Sequence, residues 1–199
     1  GYDLFVWNNN INFRIRSGGS WYPATQSITA NNWQYVVGVY DGTDCFLYLN
    51  AINVTDRVSN GSGNILNRTS PLKIGLEMDS TKPFDGLIDE VRIYNRALSA
   101  TEINRLYRIG LGSTANRTST SLDKGLVGHW TFDGSDISGT RAKDRSGNNN
   151  TGTLTNGPVR VAGKIGQALD FDGVNDNVNF GDVVEPAGGI TLSAWVKPS

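Results

Sequence analysis

Cysteine is almost absent. Cys45 is the only one in 199 residues, so no intrachain disulfide can form. It sits in the apolar run Cys45-Phe46-Leu47-Tyr48-Leu49, which predicts a buried structural thiol rather than a nucleophile. His129 is the single histidine, so a His-rich metal site is excluded as well. No stretch approaches the ~20 apolar residues needed to span a bilayer, and no charged-then-apolar leader opens the chain, although Gly1 reads as the middle of something longer. Charge of one sign is not in excess either: 18 basic against 19 acidic residues leaves a formal net charge of −1. No basic face is implied, which argues against nucleic acid as a partner. Phosphate loops, dinucleotide fingerprints, zinc cysteine clusters and nucleophile elbows are all missing.

What is present is turn chemistry and β-formers. Twenty-four glycines and many asparagines punctuate short runs rich in aromatic and β-branched residues. A hydrophobic share of 38% is enough for a packed core in a chain of this length. Asn12 to Arg16 alternates polar and apolar residues, as a half-buried strand does. Trp33 to Tyr40 ends at Asp41-Gly42, a hairpin signal, and Cys45 to Leu49 follows. Further strands are predicted at 52–54, 72–76, 86–94, 126–132, 168–171, 177–180 and 190–196. About ten strands at this spacing predict an all-β sandwich or barrel. One short helix is expected. Ser99-Ala100-Thr101-Glu102 forms a capping box, and Ile103, Leu106 and Tyr107 share one face, so the helix runs to near Arg108 and covers an end or edge of a sheet. Residues 111–124 are rich in Ser and Thr, lack apolar periodicity and predict a linker.

Longer motifs add a resemblance. Gly86 to Ser99 (GLIDEVRIYNRALS) is similar to the closing strand and helix start of laminin-G-like, concanavalin-A-like jelly-roll domains. Gly125 to Asp133 (GLVGHWTFD), Asp144 to Asn148, Gly166 to Gly173 (GQALDFDG) and Ile190 to Pro198 (ITLSAWVKP) resemble the opening of the same family. The resemblance implies a two-sheet antiparallel β-sandwich of the jelly-roll type with one short helix. The order departs from the family: residues 1–110 resemble its C-terminal half, and 125–199 its N-terminal half. Either the chain holds the back of one domain and the front of the next, or the halves make one permuted sandwich. Half a sandwich leaves an apolar face and raw strand edges uncovered. The halves are therefore expected to complement each other, within one chain or by self-association between chains.

Chemistry-bearing residues are few. Glu77-Met78-Asp79 begins like the Glu-x-Asp carboxylate pattern of laminarinase-type glycosidases, which share this fold class, but the third carboxylate is replaced by Thr81 or Lys82. No catalytic residue is assigned, and the chain is expected not to be an enzyme. The resemblance implies that some relatives hold structural calcium. Asp89, Asp133, Asp144 and Asn148 are the candidate ligands, with local turn chemistry as the competing account of the Asp144–Asn150 loop. Asp89 has the further alternative of pairing with Arg92 or another base. Sugar recognition needs aromatic platforms beside amides and carboxylates. Trp7, Asn9, Trp21 and Tyr22 are the candidate platform residues, and Asn175 and Asp176 are candidate hydrogen-bond partners. Trp33, Trp130 and Trp195 lie in alternating apolar runs and are expected in the core. The expected function is a non-catalytic extracellular module that binds carbohydrate or another cell-surface ligand, in a bacterial surface or secreted protein. The competing reading is a structural spacer of a tandem-repeat surface protein, and a glycosidase fragment ranks third.

Overall fold

The chain opens with three strands, β1 (Tyr2–Trp7), β2 (Asn10–Ser17) and β3 (Ser20–Ser27), and alternation is clearest in β2. In β2, Ile11, Phe13 and Ile15 are buried while Asn12, Arg14 and Arg16 point the other way. The chain then forms β4 (Gln34–Tyr40), β5 (Asp44–Leu49), β6 (Ile52–Asn53), β7 (Val58–Ser59), β8 (Lys73–Ile74) and β9 (Asp85–Tyr94). Helix α1 (Ala100–Gly110) follows. The second half contributes β10 (Leu126–Trp130), β11 (Ile137–Ser138), β12 (Arg141–Ala142), β13 (Gly152–Thr155), β14 (Val159–Ala162), β15 (Gln167–Asp172), β16 (Asn177–Asn179) and β17 (Ile190–Pro198). This computed structural model describes residues 2–17, 20–55, 58–59, 65, 71–77, 82–112, 121–183 and 188–199. The fold is an all-β sandwich with one short helix, and every strand pairing among the described residues is antiparallel.

The largest sheet runs β14-β15-β9-β17-β4-β5-β6, with β10 also on β9 and β7 also on β5. Facing its inner side are a three-stranded sheet, β1-β2-β3, and a five-stranded sheet, β11-β12-β13-β16-β8. The main core lies between these layers and includes Ile11, Phe13, Val36, Leu47, Trp130 and Phe171. Gly38 in β4 lets the layers meet closely, since a Cβ there would occupy the position of the Phe13 ring. Strand β17, from the second half of the sequence, hydrogen-bonds to β4 on one side and β9 on the other, both from the first half.

Helix α1 corrects one expectation. It covers the outer face of the large sheet rather than an end or edge. Ile103 and Leu106 pack with Tyr35, Val37, Tyr94 and Trp195 in a second apolar cluster, so β4 is buried on both faces. Tyr107 stacks on Trp195 with ring centroids 5.5 Å apart. The helix also continues past Arg108 to Gly110, where the missing Cβ makes room for the Trp195 indole. The capping box forms as the sequence predicts: Ser99 accepts from the Glu102 amide, and Glu102 accepts from the Ser99 amide at 2.9 Å.

Other differences have local causes. Trp33 is half-buried rather than core, whereas Trp130 and Trp195 are buried as expected. The strand predicted over 72–76 is only Lys73–Ile74, because Gly75 turns with positive φ (90°). Strand β3 was not predicted; it tolerates Pro23 because it pairs with β2 alone, and an edge strand does not need that N–H. In the predicted linker, residues 113–120 lie outside the described part. At its end, Leu122 packs into the helix cluster, and Arg96 donates to the carbonyls of Ser121 and Lys124.

Candidate functional site

Directly opposed residues of an antiparallel sheet share a face, so register alone assembles the site. Trp7 pairs with Asn10, Phe5 with Asn12, Asp3 with Arg14, and Arg16 with Trp21. All lie on the face of β1-β2-β3 turned away from the core. The aromatic and cationic groups form a diagonal stripe, Trp7-Phe5-Arg14-Trp21, about 20 Å long at the ~3.4 Å rise of a strand. Trp7 is 45% exposed and Trp21 36%. Trp7-Asn8-Asn9-Asn10 is a two-residue hairpin turn in which Asn8 and Asn9 both have positive φ (48° and 57°). Asn9 is exposed at the turn, and its carbonyl accepts from the Ile28 amide. Tyr22 pairs with Ile15 in register, but its side chain lies outside the described part.

Arg14 organises this face. Its guanidinium carbon sits 4.3 Å from the Trp21 ring centroid and 4.7 Å from that of Phe5. It donates to Asp3 at 2.8 Å and also to Glu77. Lys82 takes the other oxygen of Glu77 at 2.8 Å and also lies over Phe5, 5.0 Å from its centroid. Glu77 is thus a buried, doubly paired carboxylate with no oxygen left for a sugar; Met78 and Asp79 lie outside the described residues. Burial dominates at Asp3 and raises its pKa, against the pull of Arg14. Beside the stripe, a cavity of about 160 Å³ opens between β1 and residues 71–77. Phe5 and Trp21 line it along with Asp3, Glu77 and Lys82, and Val36, Val91 and Ala194 of the large sheet are among its apolar walls. Sequence reasoning missed Phe5, Arg14, Arg16 and Lys82. The two-residue spacing from Trp7 is a local signal for Phe5, but nothing local could place Lys82 there.

The proposed metal ligands fall into two places. Along β9, the neighbouring strand changes from β15 (up to Ile88) to β10 (from Val91). At the change, Glu90 has positive φ (53°) and the register with β17 slips. The turn 163–167 is held there by two carboxylates: Asp89 accepts from the Ile165 amide at 2.9 Å and Asp133 from the Gln167 amide at 2.8 Å. Gly163 and Gly166 are pressed against these same carboxylates, so a Cβ at either would collide. Asp89 is fully buried, and its Oδ1 has no hydrogen-bond partner. Burial, assisted by the neighbouring Glu90 charge, pushes its pKa up to about 7 despite the Ile165 N–H. The orphaned buried Asp89 oxygen is the one group here that fits a cation, since the backbone groups that meet Asp89 and Asp133 are N–H donors. Asp144 and Asn148 do not fit: Asp144 is saturated by the His129, Ser146 and Asn150 amides and the Ser146 hydroxyl, while Asn148 turns its Nδ2 toward the Leu126 and Val127 carbonyls. Turn chemistry accounts for that loop. Among the described residues, no group of three or more His, Cys, Asp or Glu side chains gathers to hold a metal.

The remaining candidates are structural in their contacts. Asn175 and Asp176 lie between β15 and β16, on different sheets from the tryptophans. Asn175 is exposed, with its carbonyl accepting from Asn156 and Asn177. Asp176 is buried and accepts from the Asp172 amide at 3.2 Å. Arg92 pairs with Glu90 at 2.5 Å, not with Asp89. His129 also meets Glu90, at 3.0 Å. Burial opposes the Glu90 charge, but His129 and Arg92 outweigh it and hold Glu90 at about 2. Burial and the Arg92 charge lower His129, so the neutral ring donates to Glu90 through its Nε2–H.

Comparison with known families agrees with this architecture. Residues 1–104 match the model of the concanavalin A-like lectin/glucanases superfamily. The chain belongs to that superfamily, as a β-sandwich module. No curated protein and no solved structure matches it. Among the described residues, no helix is long and apolar enough to cross a membrane.

Proposed function

We propose that this module is a non-catalytic, extracellular glycan-binding domain whose site is the outward face of β1-β2-β3. One observation carries the reading: the two exposed tryptophans share that face, and one of them borders the cavity beside it. Aromatic rings on a rigid sheet offer apolar area at little entropic cost, and Asn12 and Thr25, hydrogen-bonded to each other at 2.8 Å between them, supply polar groups. Glu77, the carboxylate that would suggest glycosidase chemistry, is spent on Arg14 and Lys82, which supports a binding role over hydrolysis. A glycan-array screen of the folded protein tests this, with Trp7→Ala and Trp21→Ala as controls. Specific binding should fall at least about tenfold in one of the two variants, as truncation of an aromatic anchor does. Binding equal in both variants and the parent would move the site elsewhere.

A spacer role in a tandem-repeat surface protein has one observation in its favour: Arg14 already covers part of the Trp21 ring, an internal use of that aromatic. Absence of any ligand on the array would favour it. We further propose that Asp89 and Asp133 hold a structural calcium ion with backbone oxygens nearby. Residues 1–110 and 125–199, joined by 111–124, are proposed to act as complementary halves of one unit.

A further inference from the structure

We infer that the cavity between β1 and β8 accepts a strand: an extended segment of another polypeptide, apolar at alternate positions, that pairs with the free edge of β1. The inference goes beyond the glycan reading of the outward face and does not depend on it.

Two strand edges face each other across the cavity. Consecutive residues line both sides, Tyr2 to Val6 on one and Pro71 to Glu77 on the other, so the space runs along the strands. Among the described residues β1 pairs with β2 alone and β8 with β16 alone. Past Ile74 the second side meets its own chain, where the Phe84 amide donates to the Gly75 carbonyl. The hairpin fixes which β1 groups face the cavity. Trp7 and Asn10 flank its two-residue turn and form a hydrogen-bonded pair, and such pairs alternate along an antiparallel ladder. Phe5 and Asp3 are therefore bonded to β2, while the N–H and C=O groups of Leu4 and Val6 point away from it. Among the described residues no turn or loop backbone reaches these groups. Unpaired edge groups beside apolar walls are satisfied by a peptide strand and not by a hydrocarbon. The side chains of Leu4, Val6, Leu72 and Ile74 pack toward the core yet stay only partly buried, above Val36 and Ala194 of the large sheet. The volume of about 160 Å³ takes a group of about the size of benzene, so one inward leucine or phenylalanine anchors the segment. Glu77 is already paired with Arg14 and Lys82 on the outer side, so the outward residues of the segment are neutral and polar.

The probe is a fluorescein-labelled nonapeptide that alternates threonine with valine, leucine and valine between terminal lysines. Fluorescence anisotropy with the whole chain reads its affinity, and hydrogen exchange of the chain's amides reads its place. The peptide should bind about tenfold or more tighter than a copy N-methylated at alternate residues, which keeps the side chains and loses backbone hydrogen bonds. Binding should slow exchange at Leu4 and Val6 and leave Asp3 and Phe5, already bonded to β2, unchanged. Leu4→Pro, which removes one edge N–H, should weaken binding about tenfold relative to Leu4→Ala, which shortens the side chain and keeps the N–H. A cooperative melt of both variants shows that each is folded, and the exchange measurement on the parent needs neither. No binding, equal binding of the methylated copy, or binding that leaves Leu4 and Val6 unprotected overturns the inference. Benzene raising the melting temperature while the peptide fails to bind also overturns it, and makes the cavity a pocket for an isolated apolar group. Dimerisation of the peptide-free chain that protects the same two amides would make a second copy the occupant and overturn it as well.

Discussion

Asp89 shows how much one residue can concentrate. It lies where β9 exchanges one neighbouring strand for another, anchors the 163–167 turn, and keeps one oxygen unpartnered in the interior. Its carboxyl titrates at about 7 in the folded protein, against about 3.9 for an unperturbed aspartate. Between those values the folded state holds a proton that the unfolded chain has released. The contribution of Asp89 is therefore fully present below about pH 4 and is lost as pH rises toward 7. His129 is shifted the other way and opposes this trend near its own range, so the effect is best isolated by comparison with Asp89→Asn. In chelator, the melting temperature of the parent relative to Asp89→Asn should be lower at pH 8 than at pH 5. Calcium needs the ionised carboxylate, so it should raise the melting temperature of the parent more at pH 8 than at pH 5, and leave Asp89→Asn unmoved. A parent protein indifferent to calcium at both pH values removes the cation proposal.

At the scale of elements, α1 is held by chemistry local in sequence and by a surface that is not. Its capping box is tied further by Arg96, whose Nη2 and Nη1 donate to the two Glu102 oxygens at 2.7 and 3.0 Å. The Arg96 hydrogen bonds, working against burial, hold Glu102 at about 2, so this support is present above about pH 4.5 and is lost only as pH falls toward 2. Ser99→Ala should destabilise the protein by about 1 kcal/mol at neutral pH, the usual cost of an N-cap. Chemical denaturation would read it as a shift in midpoint at constant slope. A loss near zero would mean that the Arg96–Glu102 pair and the apolar face of the helix fix its start without the cap. That apolar face lies on Tyr35, Val37 and Trp195, which is why β4 lacks polar alternation: it is covered on both sides.

At the scale of the whole molecule, β17 ties the two halves together. It occupies the middle of the large sheet, between two strands that precede it by about a hundred residues or more. Removing residues 125–199 would expose the facing edges of β4 and β9 and strip the core of Trp130, Phe171 and Ala194. Fragments 1–110 and 125–199 expressed apart should each lack a cooperative thermal transition, and regain one on mixing, at equimolar ratio. A fragment that melts cooperatively alone, and does not respond to its complement, would show the halves to be independent. The intact chain should be monomeric by light scattering, since β17 closes the sheet within one chain.

The two sources of information divide by range. Short-range patterns determined the sandwich class, the capping box, the buried thiol of Cys45, and the core positions of Trp130 and Trp195. Period-two alternation and turn residues act between neighbours in sequence, so they are written locally. The Trp7 turn was half legible: its asparagines marked a bend, but only the pairing of β1 with β2 made it a hairpin. Long-range placement decided the rest. Glu77 looked like part of a catalytic pattern until Arg14 and Lys82 closed on it, and Asp144 looked like a ligand until amides of the His129 strand and its own loop saturated it. The sequence by itself determined which residues could alternate, cap and turn. The tertiary structure alone determined which charges meet, because pairing across tens of residues depends on the order in which strands enter the sheet.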